Sequence, residues 1–212
     1  MDTRELLNSP MQRGRTLKSK QVEEFMSDLN TSFENKKILE IGCGKGNVLR
    51  DIKLKYNCSE LYGVDIFTPE KENLNYFQHL SLNLNDSKHI SRIPDKLDII
   101  FSFRCFMYLS IDIRIQTIKT YYSKLKMGGV MLIDMCGTPE SPSEISDNDL
   151  VMLSYISKNL NKNDKLIKKN YKVEVELLEN KPSDKELKMI NRIKDIETYS
   201  LIIIKTSEEI KL

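Results

Sequence analysis

The sequence predicts an α/β protein built on a doubly wound, mostly parallel sheet. Three observations support this fold class. Apolar strand-like segments alternate with helical patterns through residues 36–136, as expected when helices connect parallel strands. A glycine-rich turn follows the first strand, and two more strand patterns occur after residue 170. At 212 residues the chain suffices for one domain with a sizeable core.

The elements follow from periodicity and turn signals. Apolar residues at helical spacing predict an N-terminal cap helix over residues 18–29, preceded by a flexible arm that contains Arg13 and Arg15. Core strands are expected at residues 38–41, 61–65, 80–86 (with its exit loop), 97–102 and 130–134, and a helix over 112–126 ends at a Gly-Gly turn. Beyond it we expect a loop over 137–144, a helix over 147–159, strands over 171–178 and 199–204, and a helical insertion over 184–195.

The glycine turn predicts a nucleotide-type ligand site. Gly42, Gly44 and Gly46 stand two residues apart between a strand and a helical pattern. Glycines at such a turn permit unusual φ angles and let a ligand approach the backbone. The first amides of the following helix then face the ligand with unsatisfied N–H groups. A dinucleotide turn would carry a third glycine where Asn47 stands.

A second signal comes about twenty residues later. Residues 61–65 form a short apolar run that ends in Asp65. A carboxylate at a strand end can accept hydrogen bonds from both ribose hydroxyls, as it does in dinucleotide enzymes. Asp65 therefore predicts a nucleoside ligand without deciding which one.

The order acid-x-Gly-x-Gly-x-Gly, with Glu40 as the acid, resembles the first motif of class I S-adenosylmethionine-dependent methyltransferases. Further matches follow in order through residue 136. The resemblance implies strand order 3-2-1-4-5-7-6, seven strands, an antiparallel C-terminal hairpin and a helix over residues 103–109 that covers the cofactor. The implied cofactor is S-adenosylmethionine, with S-adenosylhomocysteine as product. The implied contacts are Glu40, Gly42, Cys43, Gly44, Gly46, Asn47, Asp65, Ile66, Asn83, Leu84, Asn85, Asp86, Ser102 and Phe103.

The adenine contact stays open between two registers. If residues 83–86 are aligned as an acid-Leu-Asn-Asp pattern whose first acid is replaced, Asn83 contacts the adenine amino group. If the acid sets the register, Asp86 does. One sequence does not separate these two alternatives.

No residue is identified as catalytic. Asp134 at the end of the fifth strand, Tyr108 and Arg104 after the fourth strand, and His89 are candidates, with packing or structural hydrogen bonding as the alternative for each. The only other histidine, His79, fits a half-buried strand position. The four cysteines include no C-x-x-C pair, which argues against a zinc site or a disulfide framework.

Composition restricts the partners. The net charge of +2 and the pI near 8.2 are too mild for a dedicated nucleic-acid binder. The lysines over residues 158–172 are expected to form a solvated face. The polar start has no signal-peptide pattern and apolar runs are strand-sized, so we expect a cytoplasmic protein that is not in a membrane.

We expect one domain over residues 1–212, with an arm and cap helix (1–34), a cofactor core (36–136) and a lid, helix and hairpin region (137–212). The expected function is methyl transfer to an oxygen or nitrogen of a small molecule. An RNA- or protein-directed methyltransferase and a catalytically silent cofactor-binding protein are the alternatives. The sequence carries no indication of an oligomeric state.

Overall fold

The computed structural model describes residues 22–23, 26–27, 29–135, 151–152, 154–156, 165–172 and 197–206. Its strands form one sheet in the order β3-β2-β1-β4-β5-β7-β6. The strands are β1 (Lys37–Ile41), β2 (Glu60–Asp65), β3 (Gln78–Ser81), β4 (Leu97–Ser102), β5 (Leu125–Met135), β6 (Lys165–Lys172) and β7 (Glu197–Ile204). The β1–β2, β1–β4, β2–β3 and β4–β5 pairs are parallel, whereas β7 runs antiparallel to β5 and β6. The predicted α/β class with a mostly parallel sheet is confirmed.

Side chains of successive strand residues enter two apolar layers, one on each face of the sheet. On β1, Leu39 and Ile41 enter one layer and Ile38 the other, as the two-residue period of a strand requires. Helix α1 (Asn47–Lys55) contributes Val48, Leu49 and Ile52 to the second layer, and helix α2 (Ile111–Lys124) contributes Ile118, Tyr121 and Tyr122 to the first. Helices therefore cover both faces, which is the doubly wound arrangement.

The connections beside β3 differ from the expected alternation of strands and helices. Between β2 and β3 the chain forms only a 3-10 helix at Asn73–Asn75, and between β3 and β4 another at Ser87–Arg92. The first connection contains Pro69 and two asparagines, residues that disfavour an α-helix.

The junction of α2 and β5 also differs from expectation. The helix ends at Lys124 and the strand begins at once, so Gly128 and Gly129 belong to the strand and not to a separate turn. Gly128 has φ +74°, its N–H donates to the Lys205 carbonyl at 2.8 Å, and the Lys205 N–H donates to the Gly129 carbonyl at 2.9 Å. The pairing register with β4 shifts between Leu97 and Ile99. A glycine with positive φ lets the strand absorb this irregularity.

Strand β6 lies earlier than predicted. It covers Lys165–Lys172, so it includes part of the lysine-rich run that was expected to be a solvated face. Its eight-residue pairing with β7 fixes this register, whereas the predicted strand over 171–178 shares only its first two residues. The strand predicted over 199–204 is confirmed within β7.

Several expectations fall outside the described residues. These are the arm with Arg13 and Arg15, the loop over 137–144 and the insertion over 184–195. Most of the helices predicted over 18–29 and 147–159 also fall outside. Of the cap helix, Val22 and Met26 are described as helical and buried. Within the described part of the chain, no helix has the length and apolar character needed to span a membrane.

Candidate functional site

The glycine turn after β1 forms the centre of the candidate site, at the carboxyl edge of the sheet. Gly42, Gly44 and Gly46 have φ values of +76°, +52° and +80°. These angles cost a residue with a Cβ atom about 1–2 kcal/mol, so glycine is favoured at all three positions. The N–H groups of Gly42 and Cys43 both donate to the Val64 carbonyl, at 2.7 and 3.1 Å, and tie the turn to the end of β2.

Asp65 holds the turn through its carboxylate. Its Oδ2 accepts from the Gly44 N–H at 2.7 Å, and its Oδ1 accepts from the Phe67 N–H at 2.9 Å. A carboxylate has about four lone-pair sites, so about two remain for a ligand. The carboxylate is half-buried and fixed on both sides, and it therefore fits the vicinal hydroxyls of a ribose.

Two of the three glycines are needed for packing within the protein. A Cβ atom on Gly42 would lie 2.4 Å from the Cβ of Cys105, and one on Gly46 would lie 2.4 Å from the ring of Phe77. The space beside these two glycines is filled by the protein's own side chains. At these two positions the lack of a Cβ atom serves packing within the protein, and ligand contact with the backbone stays a prediction.

Helix α1 begins directly after Gly46, at the edge of the site. Its first turn carries no acidic residue and its N-cap makes no side-chain hydrogen bond. The first N–H groups of the helix and its positive dipole end therefore remain available to a ligand carboxylate. This arrangement suits the amino-acid end of S-adenosylmethionine.

Glu40 and Cys43 lie beneath the turn. Glu40 is 2% exposed on β1, and the Cys43 side chain packs in the apolar layer that contains α1. Burial, reinforced by the negative charges of Glu40 and Asp65, raises the pKa of the Cys43 thiol. Cys43 is therefore a neutral thiol that packs in the core.

The segment after β4 forms a second wall of the site. The Ser102 hydroxyl donates to the Ile41 carbonyl at 3.0 Å, and Phe103 packs beside Phe101 with ring centroids 5.9 Å apart. Both side chains are buried, so they brace the ends of β1 and β4.

The helix expected over residues 103–109 is wrong. Only a 3-10 turn at Phe106–Tyr108 forms there, and Arg104 has φ +58°. A left-handed residue cannot continue a helix, so the segment runs as a loop against Gly42. Tyr108 is 45% exposed on this loop, and Arg104 is half-buried.

Replacing Arg104 with glycine separates the role of its backbone from that of its side chain. Relief of the left-handed conformation is worth about 1–2 kcal/mol, and the extra freedom of unfolded glycine costs about 0.4–1 kcal/mol. We expect Arg104→Gly to stay folded, with an unfolding temperature close to that of the wild type, and to lose the activity of the site. Lys96→Gly is the matched control, because Lys96 has φ +59° before β4, at the opposite edge of the sheet. Full activity of Arg104→Gly would exclude a role for the guanidinium.

The residues expected on the adenine side follow β2 and β3. Ile66, next to Asp65, is 55% exposed and offers an apolar surface. Asn83 is exposed, and its Oδ1 accepts from the Asn85 N–H at 3.0 Å and from Asn85 Nδ2 at 3.1 Å. Leu84 packs against the α2 layer, and Asp86 is exposed.

The backbone shows on which elements the remaining catalytic candidates lie. Asp134 lies near the end of β5, opposite Ser200 of β7, and His89 lies in the 3-10 helix Ser87–Arg92. His79 is on β3, and its Nε2 is buried without a hydrogen bond to the described residues. Burial lowers the pKa of His79, although the Asp65 charge opposes the shift. No cluster of metal-ligating side chains occurs among the described residues.

Sequence reasoning missed Asn73 and Phe77. Both are buried, and both contact the glycine turn from the connection between β2 and β3. Asparagine in a polar connection is typical of an ordinary turn, so no sequence signal marks Asn73. The glycine at position 46 was a signal that something packs closely there, but it does not identify the partner.

Comparison with known proteins agrees with the geometry of the site. Residues 39–131 match the family model described as "Methyltransferase domain". No curated protein matches the chain.

Solved structures share the fold at low identity. Magnesium protoporphyrin IX methyltransferase from Synechocystis PCC 6803, with bound SAM, is 9% identical with a TM-score of 0.58, covering 94% of this chain and 83% of that one. N-methyltransferase NodS from Bradyrhizobium japonicum WM9, in complex with S-adenosylhomocysteine, is 12% identical with a TM-score of 0.56, covering 94% and 90%. A putative rRNA-methylase from Clostridium thermocellum is 13% identical with a TM-score of 0.57, covering 90% and 96%. At such identities the likeness establishes the fold.

Proposed function

We propose that this chain methylates an oxygen or nitrogen atom of a small-molecule acceptor in the cytoplasm. The proposal takes residues 39–131 as an S-adenosylmethionine-dependent methyltransferase domain. The observation that carries the proposal is the Asp65 carboxylate, which holds the glycine turn at Gly44 and keeps acceptor capacity for a ribose. The mild net charge of +2 supports a small acceptor over a polyanionic one.

The chain's own residues supply binding and alignment. In this proposal Asp65 accepts from the ribose hydroxyls, Ile66 covers one face of the adenine, and the first amides of α1 bind the carboxylate. Glu40 supports the turn from below. The cofactor supplies an electrophilic methyl group on a positively charged sulfur. Holding the acceptor atom in line with that methyl group can provide about 7–11 kcal/mol of the barrier, so most of the catalysis comes from positioning.

For the adenine amino group we propose Asp86 over Asn83. An amino group donates and needs an acceptor, and the Asn83 oxygen already accepts two hydrogen bonds from Asn85. A carboxylate is acceptor-only and accepts through either oxygen, so it suits an amino group in any rotamer.

We expect Asp86→Ala to weaken binding of S-adenosylhomocysteine by about tenfold, since a hydrogen bond to a charged group is worth about 1.5–3 kcal/mol. Asn83→Ala is expected to change the affinity by less than about threefold. Titration calorimetry measures both constants. A larger loss for Asn83→Ala would reverse the assignment.

The acceptor side is proposed to involve the loop after β4 and the end of β5. Tyr108 and Arg104 would line the acceptor pocket, with the guanidinium suited to a carboxylate or phosphate on the acceptor. Asp134 and His89 are the candidates for a base if the acceptor is a hydroxyl. Residues 36–136 would form the cofactor part of one domain, and residues 137–212 would complete the acceptor side.

Calorimetry with S-adenosylhomocysteine, with NAD and ATP as controls, tests the cofactor assignment. Transfer of labelled methyl from S-adenosylmethionine to a fractionated metabolite extract then tests the acceptor class. Methyl incorporation into RNA, with affinity that falls steeply with salt, would favour the RNA-directed alternative. Cofactor binding without transfer to metabolites, RNA or protein would favour the silent alternative.

A further inference from the structure

Asn73 is a buried polar residue that contacts the glycine turn from the connection between β2 and β3. It is 1% exposed, in the 3-10 helix between β2 and β3. Its Nδ2 donates to the Lys45 carbonyl at 2.8 Å and to the Asn47 Oδ1 at 2.7 Å, and its Oδ1 accepts from Arg50 Nη1 at 3.4 Å. The two Nδ2 partners are acceptors and the Oδ1 partner is a donor, so the amide has one satisfied orientation.

Neighbouring contacts hold the same segment against the turn. Lys45 Nζ pairs with Glu70 Oε1 at 2.8 Å, and the Glu70 N–H donates to the Lys45 carbonyl at 3.4 Å. The Phe77 ring occupies the space beside Gly46. The turn is therefore clamped at residues 45, 46 and 47 by the connection that follows Asp65.

The hydrogen bond from Asn73 to Asn47 determines which end of the Asn47 amide can face a ligand. Asn47 is the first residue of α1, and its side-chain oxygen is committed to Asn73. The Nδ2 group of Asn47 is therefore the end that can serve a ligand, and it is a donor. A donor beside the first amides of the helix suits an anionic group.

We propose that Asn73 is a positioning residue for the cofactor: it fixes the glycine turn through the Lys45 carbonyl and orients Asn47 so that its Nδ2 donates to the cofactor's carboxylate. The inference rests on the proposed function, because it names the group that the turn receives. Supporting groups that lock the residues touching a ligand determine how closely a site keeps its productive geometry.

The test compares Asn73→Asp with Asn75→Asp in the full chain. The Asn73→Asp change keeps the size of the side chain but removes both of its donors, and it lets Asn47 rotate so that its Nδ2 donates to the new carboxylate. Asn75 is exposed in the same 3-10 helix, and its Nδ2 donates to the nearby Glu72 carbonyl at 3.3 Å. The control therefore introduces the same charge two residues away without touching the turn.

We expect Asn73→Asp to weaken S-adenosylhomocysteine binding by about tenfold or more, with Asn75→Asp within about twofold of wild type. Asn47→Ala should also weaken binding, and the Asn47→Ala/Asn73→Asp double variant should bind no worse than Asn73→Asp alone, because both changes remove one interaction. A purely structural role would lower the unfolding temperature without this non-additivity.

Asn73→Ser, which removes the amide without adding charge, is expected to give the same loss if the aspartate variant does not fold. Binding of a folded Asn73 variant within about twofold of wild type, equal losses for positions 73 and 75, or additive effects of positions 47 and 73 would each overturn the inference. Failure of the wild-type protein to bind S-adenosylhomocysteine would instead overturn the proposed function.

Discussion

Replacing Asp65 with asparagine is expected to reduce the affinity for S-adenosylhomocysteine by about 10- to 100-fold. Asparagine keeps one acceptor oxygen where the carboxylate has two, and its NH2 group cannot accept. A hydrogen bond to a charged group is worth about 1.5–3 kcal/mol, which corresponds to this range. The isosteric change leaves the packing volume unchanged, so the loss reports on the charge and the acceptors.

The same variant should also lose stability in the absence of ligand. One of the two backbone N–H groups that Asp65 accepts from, at Gly44 or Phe67, would face an amide NH2. A half-buried donor without an acceptor lowers the free energy of unfolding by about 1–3 kcal/mol. Thermal unfolding without ligand measures this part, and calorimetry measures the affinity.

Asp95→Asn is the matched control. Asp95 is also a carboxylate that accepts a charged hydrogen bond, from Lys124 at 2.7 Å, but it is exposed and precedes β4 at the opposite edge of the sheet. The control should leave the affinity unchanged. An Asp65→Asn protein that binds the cofactor as tightly as wild type would contradict the ribose assignment.

Replacing Gly46 with alanine is expected to destabilise the protein by about 2–5 kcal/mol and to abolish measurable cofactor binding. The new Cβ would lie 2.4 Å from two carbons of the Phe77 ring, so the ring or the turn must move. Overpacking of this kind costs about 1–3 kcal/mol. The φ of +80° adds about 1–2 kcal/mol for any residue with a Cβ atom. Chemical denaturation measures the loss.

Gly128→Ala separates the two causes. Gly128 has φ +74°, but a Cβ there would meet nothing within 4 Å. Gly128→Ala should therefore lose only the conformational contribution to stability, about 1–2 kcal/mol. Adding Phe77→Leu to Gly46→Ala should recover part of the steric loss. Equal destabilisation by the two glycine variants would show that the Phe77 contact carries no energy.

The strand pattern and the glycine turn could be read from the sequence because both are local. Buried parallel strands are continuous apolar runs, and positive-φ turns demand glycine. The junction at Gly128 and the position of β6 could not be read in this way. They depend on pairing with β7, a partner distant in the chain, and an apolar run does not specify its register.

The candidate site was predictable only where its residues lie close together in the sequence. Glu40, the glycines and Asp65 follow one another at fixed spacing, so a motif identifies them. Asn73, Phe77 and Cys105 reach the turn through tertiary packing, and their neighbours in sequence give no indication of it. Ser102 and Phe103 are buried, and the Ser102 hydroxyl donates to the Ile41 carbonyl, so their contact with the cofactor stays a prediction.

The sheet ends in β6, whose other edge has no strand beside it in the described part of the chain. Four of its eight residues are lysines. Lysines on an outermost strand oppose the addition of a strand from another molecule, because like charges would be brought together. At the opposite margin β3 is only four residues long, which offers little template for such growth. Both margins of the sheet therefore resist fibril-like self-association.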